Sequence, residues 1–148
     1  MKENRFDIFS SSVLQVARSV QVLKSRKMAE YDLKGTNVLC LCVICRSEEK
    51  GLSATELSRE CEIDKAQVSR CMKELIDKGL VYRNDQEGRR YKQKYILTEK
   101  GIEVAKDMIR TADRVQAVLR KGISADELER FYKTLQTVCE NGKMLPKE

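Results

Sequence analysis

Residues 53–83 read SATELSRECEIDKAQVSRCMKELIDKGLVYR, and within them lie two helix starts, a turn and a helix stop. Ser53-Ala54-Thr55-Glu56 has the spacing of a capping box, in which the serine hydroxyl accepts from the third amide while the glutamate reaches back. The helix it opens is expected to end near Cys61, because Asp64-Lys65-Ala66-Gln67 is a second start signal only a few residues later. Gly79 supplies the left-handed stop for that second helix. Two short helices joined by a turn of about three residues are the layout of a helix-turn-helix.

On a wheel of about 100° per residue, Val68, Cys71, Met72 and Leu75 of the second helix gather on one side and are expected to pack inward. Ala66, Arg70, Lys73 and Asp77 fall opposite, with Gln67 and Ser69 on the flanks. Arginine can bond two acceptors on a guanine edge and glutamine two groups on adenine, which is what a helix in the major groove requires. Small Ala66 and Ser69 let the backbone come close. Taken alone, such a face has the ordinary meaning of a solvated helix surface. Beside a turn, a preceding helix and a following hairpin, it becomes a candidate DNA-reading face made of Lys65, Ala66, Gln67, Ser69, Arg70 and Lys73. Ser53 and Thr55, at the start of the first helix, are candidate contacts to the DNA backbone.

After Gly79 the period changes from helical to alternating. Leu80-Val81-Tyr82-Arg83 is β-rich, Asp85-Gln86-Glu87-Gly88 is turn chemistry, and Tyr91 to Leu97 puts Tyr91, Tyr95 and Leu97 on one face and Arg90, Lys92 and Lys94 on the other. A hairpin directly after a helix-turn-helix is a wing, and Thr98 is placed to cap the helix that follows. Residues 83–94 hold five cations (Arg83, Arg89, Arg90, Lys92, Lys94) against Asp85 and Glu87, whereas residues 35–63 hold three cations against five glutamates. Positive charge therefore peaks on the hairpin, where Arg89, Arg90, Lys92 and Lys94 suit phosphate or minor-groove contact. Cations on an exposed edge strand also discourage aggregation, which is the alternative meaning of the same residues.

Outside this middle segment the signal is long and helical. Phe6, Phe9, Val13, Val16, Val20 and Leu23 recur at alternating steps of three and four; Ala105, Met108, Ala112, Val115 and Leu119 repeat the pattern, as do Leu128, Phe131, Leu135 and Val138. A monomeric bundle could cover such stripes, but a small middle domain seldom supplies enough core, so a shared dimer interface is the preferred expectation. Its candidate residues are Phe6, Phe9, Val13, Val16, Leu128, Phe131 and Leu135. Gly35 and Thr36 open a further short helix through Cys45, whose continuous apolar run suggests burial on most sides. The expected organisation is mainly α with a small β-hairpin: residues 1–34 and 102–148 as a helical dimerisation region, and 35–101 as a winged helix-turn-helix.

The chain has 148 residues, 41% apolar and 35% charged, and a formal charge of +6, consistent with one domain plus an oligomerising element and with an anionic partner. Histidine is absent, which removes Ser-His-Asp and Cys-His catalysis and every His-ligated metal site. No acid-base pair, phosphate loop or metal set is visible, so neither an enzyme nor a cofactor is expected. The longest apolar run, Val38 to Cys45, is far short of the about twenty residues of a membrane helix, and the charged N-terminal segment lacks the plan of a secretory signal. The expectation is a cytoplasmic protein with reduced thiols. On a helix Cys40 and Cys42 point apart, and only Cys42 and Cys45 share a face, too few ligands for zinc; Cys61 and Cys71 fall at core positions.

Leu33-Lys34-Gly35-Thr36, Leu57 to Asp64, Val68-Ser69-Arg70, Leu75-Ile76-Asp77-Lys78-Gly79-Leu80-Val81-Tyr82-Arg83 and Leu97-Thr98-Glu99-Lys100-Gly101 occur in an order that resembles the MarR family of winged-helix transcription regulators. The resemblance covers essentially the whole chain. It implies a homodimer on a pseudo-palindromic operator in double-stranded DNA, usually a repressor released by a small-molecule effector or an oxidant, with the effector near Tyr31, Leu41 and Met108. One departure is that Arg90-Tyr91-Lys92 stands where the family's wing commonly carries an Asp before its basic pair. The competing expectations are a winged-helix module that docks an acidic protein and a thiol-based redox sensor.

Overall fold

The computed structural model describes residues 4–48, 50–84 and 93–146. In chain order they form α1 (Arg5–Glu30), α2 (Gly35–Arg46), α3 (Ala54–Cys61), α4 (Lys65–Asp77), β1 (Val81–Asn84), β2 (Lys94–Leu97), α5 (Glu99–Leu119) and α6 (Ala125–Gly142). The chain is mostly helical with one small antiparallel hairpin, as expected. It divides into two compact units, Met1–Asp113 and Arg114–Glu148.

In the first unit each helix boundary has a local chemical cause. The Asn4 side chain accepts from the Phe6 amide at 3.1 Å and starts α1. The helix ends where Asp32 turns left-handed, so that Leu33 N donates to Met28 O and Asp32 N to Ala29 O, a Schellman stop built on an aspartate. The Ser53–Glu56 capping box is present in both directions, and left-handed Glu62 ends α3 after one buried turn. The Asp64 carboxylate accepts from Gln67 N at 2.8 Å and opens α4. Gly79, at φ 70, closes it with Leu80 N donating to Leu75 O.

The core lies between α2, α3, α4, the hairpin and the first half of α5. Leu41, Leu57, Val68, Met72, Leu75 and Val81 are fully buried, and Tyr95, Leu97, Val104, Ala105 and Met108 complete the cluster. Each such large side chain contributes about 1.5–3 kcal/mol relative to exposure. The apolar run of α2 is buried on most sides, as expected: Cys40, Leu41 and Ile44 are buried, Val38, Cys42, Val43 and Cys45 are partly buried against the same core, and Leu39 is 41% exposed. One expectation needs correcting: the stripe of α5 splits, because Ala105 and Met108 join this core whereas Ala112 and Leu119 are exposed.

The hairpin pairs Val81 with Leu97 through Asn84 with Lys94, and Leu52 adds a single antiparallel bridge to Tyr95. That bridge is a third contributor to the wing root that the sequence did not signal. Gly101 lies so near the start of the wing that a Cβ there would stand 1.9 Å from Leu80 O. Only glycine permits this approach of α5 to the end of α4.

In the second unit, Ser124 and Glu127 form a capping box that starts α6. Along α6 Leu128 is half-buried, and Phe131, Tyr132, Leu135 and Val138 are exposed. α1, within the first unit, likewise buries none of its residues, and Phe6 is 68% exposed. No described helix is long and apolar enough to cross a membrane.

Candidate nucleic-acid interface

The face of α4 has the division expected from its periodicity. Val68, Cys71, Met72 and Leu75 are buried, and Lys65, Ala66, Gln67, Ser69, Arg70 and Lys73 are all exposed. Neither Arg70 nor Lys73 is in a salt bridge among the described residues. At the start of α3, Thr55 is exposed, but Ser53 is half-buried and its hydroxyl already accepts from Glu56 N at 3.2 Å. A hydroxyl can still donate its proton while it caps a helix.

How α4 is held was not legible beforehand. Asn37, 2% exposed, is the one buried polar side chain among the described residues. Its Oδ1 accepts from Lys34 N at 2.9 Å, and its Nδ2 donates to Glu74 Oε2 at 3.1 Å and to Cys71 Sγ at 3.5 Å. Lys34 Nζ adds a 3.2 Å ion pair to the same glutamate. The Asn37 amide, with Lys34 second, holds the Glu74 carboxyl below its usual range. One helical turn after Glu74, at the C-cap of α4, Lys78 Nζ donates to Asp32 Oδ2 at 2.8 Å. The segment between α1 and α2 thus grips the C-terminal half of α4 from its polar side.

The wing root is stitched to the same end of α4. Thr98 Oγ1 donates to Gly79 O at 2.6 Å and accepts from Gly101 N at 3.0 Å, so it caps α5 as expected and also ties it to the stop of α4. Arg83 stands over the Tyr95 ring at 5.7 Å from its centroid, a cation–π contact that orients a guanidinium at the wing base. Of the expected wing cations, Lys94 is half-buried on β2. Arg89, Arg90 and Lys92 lie outside the described residues, as do Tyr91 and the expected turn.

A second feature is an open cleft of about 420 Å³ lined by Tyr31, Lys100, Glu103, Val104, Lys106, Asp107 and Arg110. At its edge Asp107 Oδ2 accepts from Tyr31 OH at 2.5 Å and from Lys27 Nζ at 2.8 Å. Lys27, then Tyr31, depress the Asp107 carboxyl, while the same contacts raise both donors above their ordinary values. Of the residues where the resemblance implied an effector, Tyr31 lines this cleft; Leu41 and Met108 do not, because they are buried in the core. No group of three potential ligands suited to a metal ion occurs among the described residues.

Residues 31–90 match a family model described as the MarR family. Among solved structures, a MarR transcriptional regulator from Methanosarcina mazei Go1 is 25% identical, covers 94% of this chain and 99% of its own, and superposes with a TM-score of 0.69. A MarR protein from Peptoclostridium difficile is 23% identical over 95% of this chain and 88% of its own, with a TM-score of 0.72. The S. aureus MepR structure bound to ethidium bromide is 17% identical over 90% and 95%, with a TM-score of 0.66. No curated protein matches the sequence significantly. Residues 31–90 are thus similar to the MarR family, and along nearly its whole length the chain shares the fold of solved MarR regulators.

Proposed function

We propose that the protein is a homodimeric repressor that binds a pseudo-palindromic operator in duplex DNA and is released by a small molecule. The observation that carries this reading is the α4 face: Ala66, Arg70 and Lys73 stand exposed over a fully packed Val68, Cys71, Met72 and Leu75. Arg70 reads a base edge, Lys65, Gln67, Ser69 and Lys73 surround it, and Ser53 and Thr55 meet the backbone. Arg89, Arg90, Lys92 and Lys94 of the wing add phosphate or minor-groove contacts. Dimerisation through Phe6, Phe9, Val13, Val16, Leu128, Phe131 and Leu135 is supported by exposed apolar stripes on α1 and α6. In this arrangement residues 1–34 and 102–148 carry the dimer, and 35–101 carry the DNA contacts.

The cleft beside Tyr31 has the size of a small-molecule site, and its mixed lining of Lys100, Lys106 and Arg110 with Glu103 and Asp107 around Val104 offers polar partners of both signs. That the MepR structure holds ethidium bromide supports ligand binding by this fold in general. Selection of bound duplexes from a random pool tests the core of the proposal: a two-fold-symmetric consensus is expected, and an asymmetric or absent consensus would refute it. Against the selected site, Arg70→Ala is expected to cost about 1–3 kcal/mol and to relax base preference at one position of each half-site. Mobility-shift titration of single-base variants reads both effects, and unchanged discrimination would remove Arg70 from base readout.

A further inference from the structure

The burial that holds Val68, Met72 and Leu75 of α4 rewards area removed from water, not a particular orientation. A hydrogen bond, by contrast, has a length and an angle, and Asn37 supplies such bonds from inside the core, at 2% exposure. Its Oδ1 accepts from Lys34 N at 2.9 Å, which sets the amide on the first turn of α2. Its Nδ2 is thereby aimed at α4, donating to Glu74 Oε2 at 3.1 Å and to Cys71 Sγ at 3.5 Å. The Cys71 thiol in turn donates to Thr36 O at 3.6 Å. We propose that Asn37 is a positioning residue for base readout, fixing the rotation of α4 about its axis and with it the direction of Arg70. Glu74 stands one turn beyond Arg70 on the same strip of the helix, so a bond that holds Glu74 sets the angle of that strip. The role in readout rests on the DNA-binding reading above.

The amide, rather than the neighbouring ion pair, is the part that positions. Lys34 Nζ reaches the same glutamate at 3.2 Å, but 77% of the lysine side chain is exposed, and a long flexible stem in solvent holds its partner weakly. The Glu74 carboxyl is depressed by Asn37 first and by Lys34 second, in keeping with that order. A fully satisfied buried polar network specifies one arrangement of the elements it joins. The consequence for DNA is selective. Phosphate contacts from flexible cations tolerate a small rotation of α4, whereas a two-pronged contact between Arg70 and a base edge does not. Loss of the Asn37 donor therefore lowers discrimination between sequences and spares sequence-independent binding. A mere folding defect would scale both by the same factor.

The test titrates the full chain with the selected operator, with its single-base variants and with random duplex. Asn37→Asp keeps the size of the side chain and the acceptor for Lys34 N, and replaces only the donor, setting a carboxylate against Glu74. It should lower the ratio of operator to single-base-variant affinity by about tenfold and leave random-duplex affinity and its salt slope at wild-type values. In Asn37→Asp/Glu74→Gln donor and acceptor exchange places, and most of the discrimination should return. Should Asn37→Asp fail to fold, Glu74→Ala removes the acceptor from the partly exposed side of the same bond and should reproduce the loss, while Glu74→Gln, which still accepts from Asn37, should not. Full discrimination in Asn37→Asp or Glu74→Ala would overturn the proposal, as would an equal fall in operator and random-duplex binding. A wild-type protein that selects no duplex would indict the DNA reading instead. The hold on α4 is then read by amide hydrogen exchange over residues 71–78: Asn37→Asp should speed it by about tenfold, and rates equal to wild type would overturn the hold itself.

Discussion

α4 and α6 are equally well-written amphipathic helices, each opened by a side-chain cap and each with apolar residues at helical spacing. Yet α4 buries four of those residues and α6 buries none. The difference lies in what the rest of the unit supplies. α4 is met by α2, α3 and β1, while the apolar face of α6 carries Phe131, Leu135 and Val138 into solvent within its own unit. Periodicity thus states that a face is apolar; only the surrounding chain states whether that face is core or interface. The sharpest way to break the comparison is to damage each face. Leu75→Ala should cost about 2–5 kcal/mol of folding stability in a denaturant titration and leave the sedimentation coefficient of the folded protein unchanged. Leu135→Glu should do the reverse, converting the proposed dimer to monomer while the α4 core stays folded. If Leu135→Glu left the oligomeric state unchanged, the exposed stripe of α6 would lose its interface meaning.

A smaller effect separates backbone packing from side-chain packing at the wing root. Adding one methyl at Gly101 sets it against Leu80 O, a backbone atom that cannot rotate away. Gly101→Ala should therefore destabilise by about 1–3 kcal/mol, as overpacking does. Gly35→Ala, whose new Cβ meets nothing within 4 Å, should be near neutral or slightly stabilising. Thermal melts of the two variants side by side check the contrast, and equal losses would mean that the close approach to Leu80 is not what Gly101 provides.

These contacts also explain which parts of the molecule could be read in advance. The capping box at Ser53, the cap at Asp64 and the stop at Gly79 are chemistry between residues three to five apart, so the sequence displays them directly. The apolar face of α4 was legible for the same reason. Leu52, by contrast, joins the wing root through one bridge to Tyr95, and a single leucine after a glycine has no alternation to betray a strand. Asn37 is a mid-helix asparagine whose value depends on Glu74 and Cys71, more than thirty residues away. Cys40 and Cys61 meet across 21 residues, on α2 and α3, where a period read along a single helix gives no sign of the contact. Even the boundary of β1 follows this rule: Leu80 looks like strand, but its amide closes the Schellman stop of α4, and the strand begins at Val81.

The smallest expected effect concerns the contact between the end of α1 and α5, where the paired Lys27 and Asp107 side chains each keep about a quarter of their surface exposed. Asp107 faces Lys27, Tyr31 and Arg110, with Glu30 paired to the same lysine. Lys27 chiefly, then Tyr31, lower the Asp107 carboxyl, so its contribution to stability is complete above the ordinary aspartate value of about 3.9 and is lost as pH falls through its lower folded value. Lys27 and Tyr31 are raised, so their contribution is complete below about 10 and disappears only as pH climbs through their folded values. Between those limits the contact is constant, and the neutral range should show a plateau. Asp107→Asn should lower Tm modestly on that plateau and flatten its decline below about pH 4, because the asparagine has no proton to take up. Asp32, Glu56, Glu74 and Glu127 are also depressed and share the acid decline, so the mutant should reduce its slope without abolishing it. Melting curves from pH 6 to 3 measure this, and parallel profiles for the wild type and Asp107→Asn would show that the Tyr31–Asp107–Lys27 contact adds nothing to the hold of α1 on α5.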